Sequence, residues 1–246
     1  MKILLAPSET KRPGGDAPFD PSQLHFGALT PIRLQLIERY RALLAQGDHA
    51  VLAKLFGLKQ TEAIAHHATH TILGAPTLPA IERYTGVAFD HLDYPALSED
   101  ARAYLHRTLI LHSNLFGFLR ANDRIPEYRL KQGEPIGDLY PEKLYRTHGA
   151  PLIEAWIGDE DLLDLRATFY ERVYKPARPF TVLKFLKGNK VVSHWAKAYR
   201  GLVLRAIAEA QVDTLEDFMR LPIEGVRLHE IQRRGHRTEI LYAIET

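Results

Sequence analysis

The chain contains no cysteine among its 246 residues. Disulfide bonds, thiolate zinc sites and iron–sulfur clusters all need cysteine sulfur, so the sequence excludes each of them. Thiol peroxidase chemistry is excluded for the same reason. If this protein deals with oxidants, it does not reduce them with a cysteine.

Long apolar runs are also missing. No segment approaches the ~20 consecutive apolar residues that span a bilayer. The first residues, MKILLAPSE, turn polar too early for a signal peptide, so we expect a cytoplasmic protein with no membrane partner. The formal charge is only +2. A polyanion would therefore bind only where positive charge is gathered on one face.

The apolar pattern predicts an α+β fold. Short strands are expected over Lys2–Leu5, in TLILH at 108–112 and in the final EILYAI. The segment FTVLKFLKGNKVVSHW predicts a hairpin around Gly188 and Asn189, and helical stripes run from Thr30 to near Gly47 and after the hairpin. Shorter helices are expected over 48–56 and 61–70, after Ser98, and near 151–156. Because strands and helices do not alternate regularly and no repeat or linker interrupts them, we expect a single domain over residues 1–246. Its mixed β-sheet should be flanked by helices.

Three histidines, His66, His67 and His70, are the candidate metal ligands of the sequence. His66 and His70 share one helix face at i, i+4. This spacing is common, the HExxH pattern is absent, and no thiolate is available to complete a site. The sequence therefore favours an ordinary helix face, and we expect no bound metal and no cofactor.

A polar loop, SETKRPGGD, follows the first strand. Ser8, Glu9 and Lys11 supply a hydroxyl, a carboxylate and an ammonium at a position where binding sites are often built. The loop lacks GxxxxGK[ST], which argues against a Walker-type nucleotide site. A surface loop with a local ion pair is the simpler interpretation.

Arginines concentrate in the stretch LFGFLRANDRIPEYRLKQGE at 115–134. Either its turn amides bind an anion under Arg120, or the arginines form a network that fixes a buried loop. Further lysines lie on the predicted hairpin, and Lys197 and Arg200 lie ~60° apart on the helix after it. These lysines and this arginine could equally contact phosphate groups or serve as ordinary surface residues that keep the protein soluble.

Four ordered segments resemble motifs of the YaaA family of bacterial peroxide-stress proteins. They are ILLAPSETK at the start of the chain, PAIERYTGVAFDHLD at 79–93, the arginine-rich stretch, and KVVSHWAKAYRG at 190–201. The resemblance implies a mixed α/β fold in one domain with a positively charged cleft. It also implies binding to DNA, including distorted DNA, and a role in limiting oxidative damage.

Two hypotheses follow. The first is a DNA-binding protein of the peroxide stress response that recognises duplex or distorted DNA by shape and phosphate contacts, with little sequence specificity. The side chains expected to contact DNA are Lys11, Arg83, Arg120, Arg124, Tyr128, Arg129, Lys187, Lys190, Lys197 and Arg200. The second is an enzyme acting on a nucleotide, a nucleobase or another small anion in the same cleft. Its candidate catalytic residues are Ser8, Glu9, Lys11, Tyr84 and Lys197.

Both hypotheses need distant segments to meet. We expect Lys11, Arg129 and Lys197 to surround one cleft. An open groove as wide as a nucleic-acid strand would favour DNA binding, whereas a closed pocket too narrow for a duplex would favour the enzyme. No protein partner follows from the sequence.

Overall fold

The computed structural model describes residues 1–188, 190–192 and 195–245. Its strands are β1 (Lys2–Leu5), β2 (Ala17–Pro18), β3 (Pro76–Pro79), β4 (Leu109–Ser113), β5 (Gly117–Arg120), β6 (Arg124–Pro126), β7 (Leu162–Asp164), β8 (Phe180–Lys187), β9 (Lys190–Val191), β10 (Val226–Arg234) and β11 (Arg237–Ile244). Its α-helices are α1 (Thr30–Gln46), α2 (His49–Phe56), α3 (Thr61–Ala68), α4 (Ala80–Arg83), α5 (Val87–Leu92), α6 (Glu99–Thr108), α7 (Pro141–Ile157), α8 (Ala196–Ala210) and α9 (Leu215–Arg220).

The main sheet is mixed, and its strands run in the order β10-β11-β8-β7-β1-β4-β5, with β9 paired to β8. The five strands from β11 to β4 are parallel, whereas β10, β5 and β9 pair antiparallel with their neighbours. A second, antiparallel sheet has the order β2-β3-β6. The predicted α+β class with a mixed sheet is confirmed.

Local signals explain where the helices begin and end. α1 starts at Thr30-Pro31 and stops at Gly47, which adopts a left-handed conformation that caps the helix. The Asp48 carboxylate accepts the first amide hydrogens of α2, and Ser98 does the same for α6. These helix starts and stops match the sequence prediction closely.

One hydrophobic core runs through the molecule. It extends from Met1 to Tyr242 and includes β1 and β4 of the central sheet. The Met1 amino group also donates to the carbonyl of Asp213 at 2.7 Å, which ties the first strand to a segment near the end of the chain. The first strand is therefore fixed at the centre of the structure.

Three elements differ from the sequence prediction. The return strand of the expected hairpin is reduced to β9, and Asn189, Ser193 and His194 lie outside the described residues. α7 begins ten residues before Pro151 and contains that proline, so a helix expected only near 151–156 is much longer. β10 was not predicted, because it is an edge strand whose side chains are mostly exposed and therefore lack the apolar alternation of a half-buried strand.

Candidate functional site

The main cleft lies at the carboxyl ends of three neighbouring parallel strands. The loop residues Ser8 and Glu9 follow β1, Asn114 follows β4, and Leu165 follows β7, and all of them line this cleft. β1 has β4 on one side and β7 on the other. The parallel part of the sheet therefore extends from β1 on both sides, and the crevice at the carboxyl ends of such neighbouring strands is where open α/β sheets bind ligands.

The opposite wall comes from α5 and α8. Lys197 and Arg200 line the cleft from α8, and residues 85–89 line it from the start of α5. The two helices pack very closely, because a Cβ atom on Gly201 would lie only 2.1 Å from the carbonyl oxygen of Ala88. Glycine at 201 therefore permits the helix contact that forms this wall.

The cleft has a volume of about 420 Å³ and a mixed lining. Small-molecule sites usually enclose ≈ 300–1,000 Å³, so this one has the size of a small ligand. Its apolar surface comes from Val87, Phe89, Leu165, Ala167 and Tyr170. Its polar surface comes from the loop after β1 and from the basic side chains of the other segments.

Arg129 and Glu9 hold each other in place at the cleft. The Arg129 guanidinium donates to the Glu9 carboxylate at 3.0 Å and to the Glu9 carbonyl at 3.2 Å. A third bond runs to the carbonyl of Phe56 at 3.0 Å. Glu9 also accepts the amide hydrogen of Gln132 at 3.3 Å. The two charges therefore cancel, and these hydrogen bonds fix the positions of both side chains at the cleft.

Lys197 and Arg200 differ from Arg129 because their charges are not compensated. Within the described ranges, neither side chain has a hydrogen-bond partner or an ion pair. Burial lowers the pKa of the Arg200 guanidinium, and the Asp164 carboxylate opposes that shift. An arginine keeps its charge in proteins. The cleft therefore presents two unpaired cations to a ligand.

Lys11 lies behind the loop that lines the cleft. Its Nζ donates to the carbonyls of Ser8 and Glu9, at 3.2 and 3.3 Å, and sits 4.0 Å from the centre of the Tyr128 ring. Burial lowers the pKa of Lys11 to about 7, and the Arg129 guanidinium adds to this effect. The ammonium is therefore partly deprotonated near neutral pH.

A buried chain of hydroxyl groups supports this side of the cleft. The Tyr84 and Tyr128 hydroxyls are 2.9 Å apart, and the Tyr128 hydroxyl is 2.8 Å from that of Ser113. The Ser113 hydroxyl also accepts the amide hydrogens of Leu115 and Phe116. Those turn amides are thus already bonded inside the protein. No local pattern in the sequence indicated this role for Ser113. Burial raises the pKa of Tyr128 to about 12.

Three of the predicted DNA-contacting arginines bind other parts of the protein. Arg83 is fully buried and donates to backbone carbonyls, including those of Ile125 and Arg12. Arg120 donates to the carbonyl of His106, and Arg124 bonds to Asp16 and Thr77. These three guanidinium groups join segments of the chain, as in the arginine-network interpretation.

The two remaining predicted lysines lie outside the cleft. Lys187 and Lys190 are exposed at the ends of β8 and β9. The Lys187 ammonium sits 5.7 Å from the centre of the Trp195 ring, which is itself 49% exposed. They form a basic, partly aromatic surface just before α8.

The structure thus brings together Ser8, Glu9, Arg129, Lys197 and Arg200 in one cleft, with Lys11 behind its loop. Tyr84 and Tyr128 are buried beside Lys11 rather than lining the cleft. The sequence analysis missed the apolar lining, including Phe89 and Tyr170. TGVAF at 85–89 lies inside a motif of the resemblance, and that was the only available signal for Phe89.

Comparison with known proteins identifies the family. The model of the family described as "Peroxide stress protein YaaA" matches residues 1–232. This chain belongs to the YaaA family. An uncharacterised protein of Campylobacter jejuni is 37% identical over 245 residues, which cover 99% of each chain.

Two further relatives carry the name UPF0246 protein. The one from Corynebacterium efficiens is 39% identical over 217 residues, which cover 85% of each chain. The one from Streptomyces coelicolor is 34% identical over 215 residues, covering 84% of this chain and 82% of the relative. The resemblance seen in the sequence motifs is therefore confirmed at the level of the family. Among the described residues, no helix is long and apolar enough to cross a membrane.

Proposed function

We propose that this protein binds DNA through the cleft and that the cleft takes one unpaired nucleotide of a distorted or single-stranded segment. The observation that carries the proposal is the pair of cations without an ion-pair partner among the described residues, Lys197 and Arg200, on a small cleft with a mixed lining. The family description supports a role in the peroxide stress response.

The charge of the cleft favours an anionic ligand. Arg129 and Glu9 neutralise each other, so Lys197 and Arg200 leave an excess of positive charge. A phosphate group would accept hydrogen bonds from both of these side chains. Because such contacts carry little sequence information, recognition would depend on the shape of the DNA.

The size and the walls of the cleft favour an unpaired nucleotide over an intact duplex. A volume of about 420 Å³ cannot hold a double helix, whereas one unstacked base would fit against Phe89 and Tyr170. Base–aromatic contacts of this kind contribute ≈ 1–3 kcal/mol per base. Lys187 and Lys190 lie outside the cleft and would contact neighbouring phosphates of the same strand.

The test compares binding to single-stranded, bubble and fully paired DNA at several salt concentrations. The variants are Lys197→Gln and Arg200→Gln, with Arg41→Gln as a control for the loss of one positive charge. Arg41 is exposed on α1 and does not line the cleft. We expect bubble and single-stranded DNA to bind more tightly than the duplex. Each cleft variant should reduce the slope of log K against log salt by ~0.7 on a single strand.

Arg120→Gln adds a second comparison. Because Arg120 donates to the carbonyl of His106, its loss should lower the melting temperature and leave the salt slope unchanged. Equal salt slopes for the unmodified protein, Lys197→Gln and Arg200→Gln would refute the proposed phosphate contacts. Equal affinity for duplex and bubble DNA would refute the nucleotide-in-cleft geometry.

A second candidate function is an enzyme that acts on a nucleotide or nucleobase in the same cleft. It is favoured by the Glu9 carboxylate, which lines the cleft and could transfer a proton to or from a bound ligand. Lys11, whose pKa is about 7, lies behind the same loop and would need the loop to move before it could reach the ligand. Mass spectrometry of the same DNA and of free nucleotides after incubation distinguishes the two functions. Unchanged masses leave binding as the function.

A further inference from the structure

A cluster of nitrogen and oxygen donors lies outside the lining of the cleft. His66, His67, His70 and Glu127, here named the histidine cluster, each offer one donor atom, and these atoms all lie within 4.8 Å of one another. The His70 Nε2 atom is 3.8 Å from a carboxylate oxygen of Glu127. The imidazole rings meet edge to face, with centres 5.0–5.2 Å apart.

The fold brings these side chains together from two distant segments. His66 and His67 are in the last turn of α3, and the backbone amides of Thr69 and His70 donate back to their carbonyls. This tight end to the helix turns His70 toward the other two rings. Glu127 comes directly after β6, so a residue nearly sixty positions away in the chain completes the group.

Two buried ring nitrogens in the cluster lack a partner. Within the part of the chain that the structure describes, neither Nδ1 of His67 nor Nδ1 of His70 has a hydrogen bond, although both atoms are buried. Buried polar atoms in native proteins are nearly always bonded, so these two nitrogens are available to a further partner. The Phe56 ring packs against His67 with centres 5.8 Å apart and limits its movement.

We propose that His66, His67, His70 and Glu127 bind a first-row divalent transition-metal ion, for which Zn²⁺ is the best match. Three imidazoles and one carboxylate form a four-ligand set of the kinds that zinc takes, whereas Mg²⁺ and Ca²⁺ prefer oxygen ligands. Around tetrahedral zinc, with bonds of ≈ 2.0–2.2 Å, donor atoms lie roughly 3.4 Å apart. Small side-chain rotations would close the present separations to that value.

The sequence favoured an ordinary helix face because the chain has no thiolate and the residues around the histidines contain no fourth ligand. Glu127 supplies that ligand from another segment.

Equilibrium dialysis of the untagged full-length protein against Zn²⁺, followed by elemental analysis, tests the site. We expect about one zinc ion per chain and a higher melting temperature in its presence. The double variant His66→Gln/His70→Gln should lose this zinc and the thermal shift. Because outer partners of metal ligands already contribute 10–100-fold in affinity, Glu127→Gln should weaken zinc binding by at least ~10-fold.

The matched control is His49→Gln, which removes an exposed histidine from α2 outside the cluster. It should keep both the zinc and the thermal shift. Circular dichroism without metal verifies that each variant is folded. Failure of the unmodified protein to hold stoichiometric zinc would overturn the proposal. Retention of zinc by a folded double variant would also overturn it.

Discussion

At the scale of single residues, burial and partners decide what each basic side chain does. Arg83 is enclosed and donates to carbonyls, Arg129 is fixed by Glu9, and Arg200 faces the cleft without a hydrogen-bond partner among the described residues. All three have the same guanidinium group. Among the described residues, only Arg200 of these three keeps its whole guanidinium free of hydrogen bonds inside the protein, so all of its donors are left for a ligand.

The charge of Lys11 depends strongly on its surroundings. Its pKa falls from 10.5 to about 7, mainly through burial and then through Arg129, while Glu9 and Glu127 oppose the fall and Arg83 adds to it slightly. The unfolded chain therefore holds this proton up to a higher pH than the folded chain. Between about pH 7 and 10.5, the folded protein gains stability from this residue as pH rises.

The first prediction follows from this rise in stability with pH. Lys11→Met removes the cost of the buried ammonium, which is largest at pH 7 and below and disappears as pH approaches 10.5. Relative to the unmodified protein, the variant should therefore gain stability most near pH 6.5–7 and progressively less up to pH 9.5. Urea unfolding at a series of pH values measures the difference.

Lys59→Met is the control for this experiment, because Lys59 is exposed. Its stability should run parallel to that of the unmodified protein over the whole pH series. A parallel curve for Lys11→Met as well would contradict the proposed protonation behaviour of Lys11.

At the scale of elements, the contact between α5 and α8 forms one wall of the cleft. The two helices approach at Ala88 and Gly201, and α8 carries Lys197 one turn before Gly201 and Arg200 directly before it. The buried side of α8 includes Val203, Leu204 and Ile207, so its packing fixes the direction in which both cations point. A change at the helix contact should therefore affect the site without touching its ligand groups.

The second prediction is that Gly201→Ala destabilises the protein and weakens ligand binding. Alanine is favoured over glycine inside a helix by about 1 kcal/mol. Here its methyl group would lie 2.1 Å from a backbone oxygen, which cannot rotate away. We expect a net loss of roughly 1–3 kcal/mol in the free energy of unfolding, together with weaker binding to bubble DNA, because α8 must move outward.

Gly27→Ala serves as its reference, since a Cβ atom there meets nothing within 4 Å. Its effect should stay within about 0.5 kcal/mol. If both glycine variants had the same stability and affinity, close helix packing would not be what positions Lys197 and Arg200.

At the scale of the whole molecule, one hydrophobic core connects the two ends of the chain. β1 lies between β7 and β4, and the Met1 amino group bonds to Asp213. β1, α5 and α8, which position the cleft residues, each contribute side chains to this core, so removing any of them would also remove part of the core. We therefore expect the described structure to unfold as one unit.

The third prediction uses the two tryptophans as separate reporters. Trp156 lies in α7, 4.6 Å from the Lys2 ammonium, and Trp195 begins the α8 segment. The variant Trp195→Phe leaves Trp156 to report on α7. The variant Trp156→Phe leaves Trp195 to report on the α8 segment. If the chain is a single cooperative domain, fluorescence and circular dichroism should give the same urea midpoint within each variant. An earlier transition at Trp195 alone would mean that the α8 segment unfolds independently.

The sequence by itself determined the class of the fold and most of the elements. Periodic apolar residues and capping residues act over a few positions, so they identified β1, α1 and α2 almost to the residue and the start of α6. They failed for β10, where an edge strand is exposed on both faces, and for α7, which continues through Pro151. The absence of cysteine settled which sulfur chemistry the protein lacks.

Only the tertiary structure decided which residues share a site. The order of strands in the sheet placed the segments after β1, β4 and β7 at one edge, and no local pattern contains that order. Burial and hydrogen bonding then separated Arg83 from Arg200 and lowered the pKa of Lys11. The approach of Glu127 to the histidines has the same origin. Contacts between residues far apart in the chain depend on how the elements pack, which local spacing does not encode.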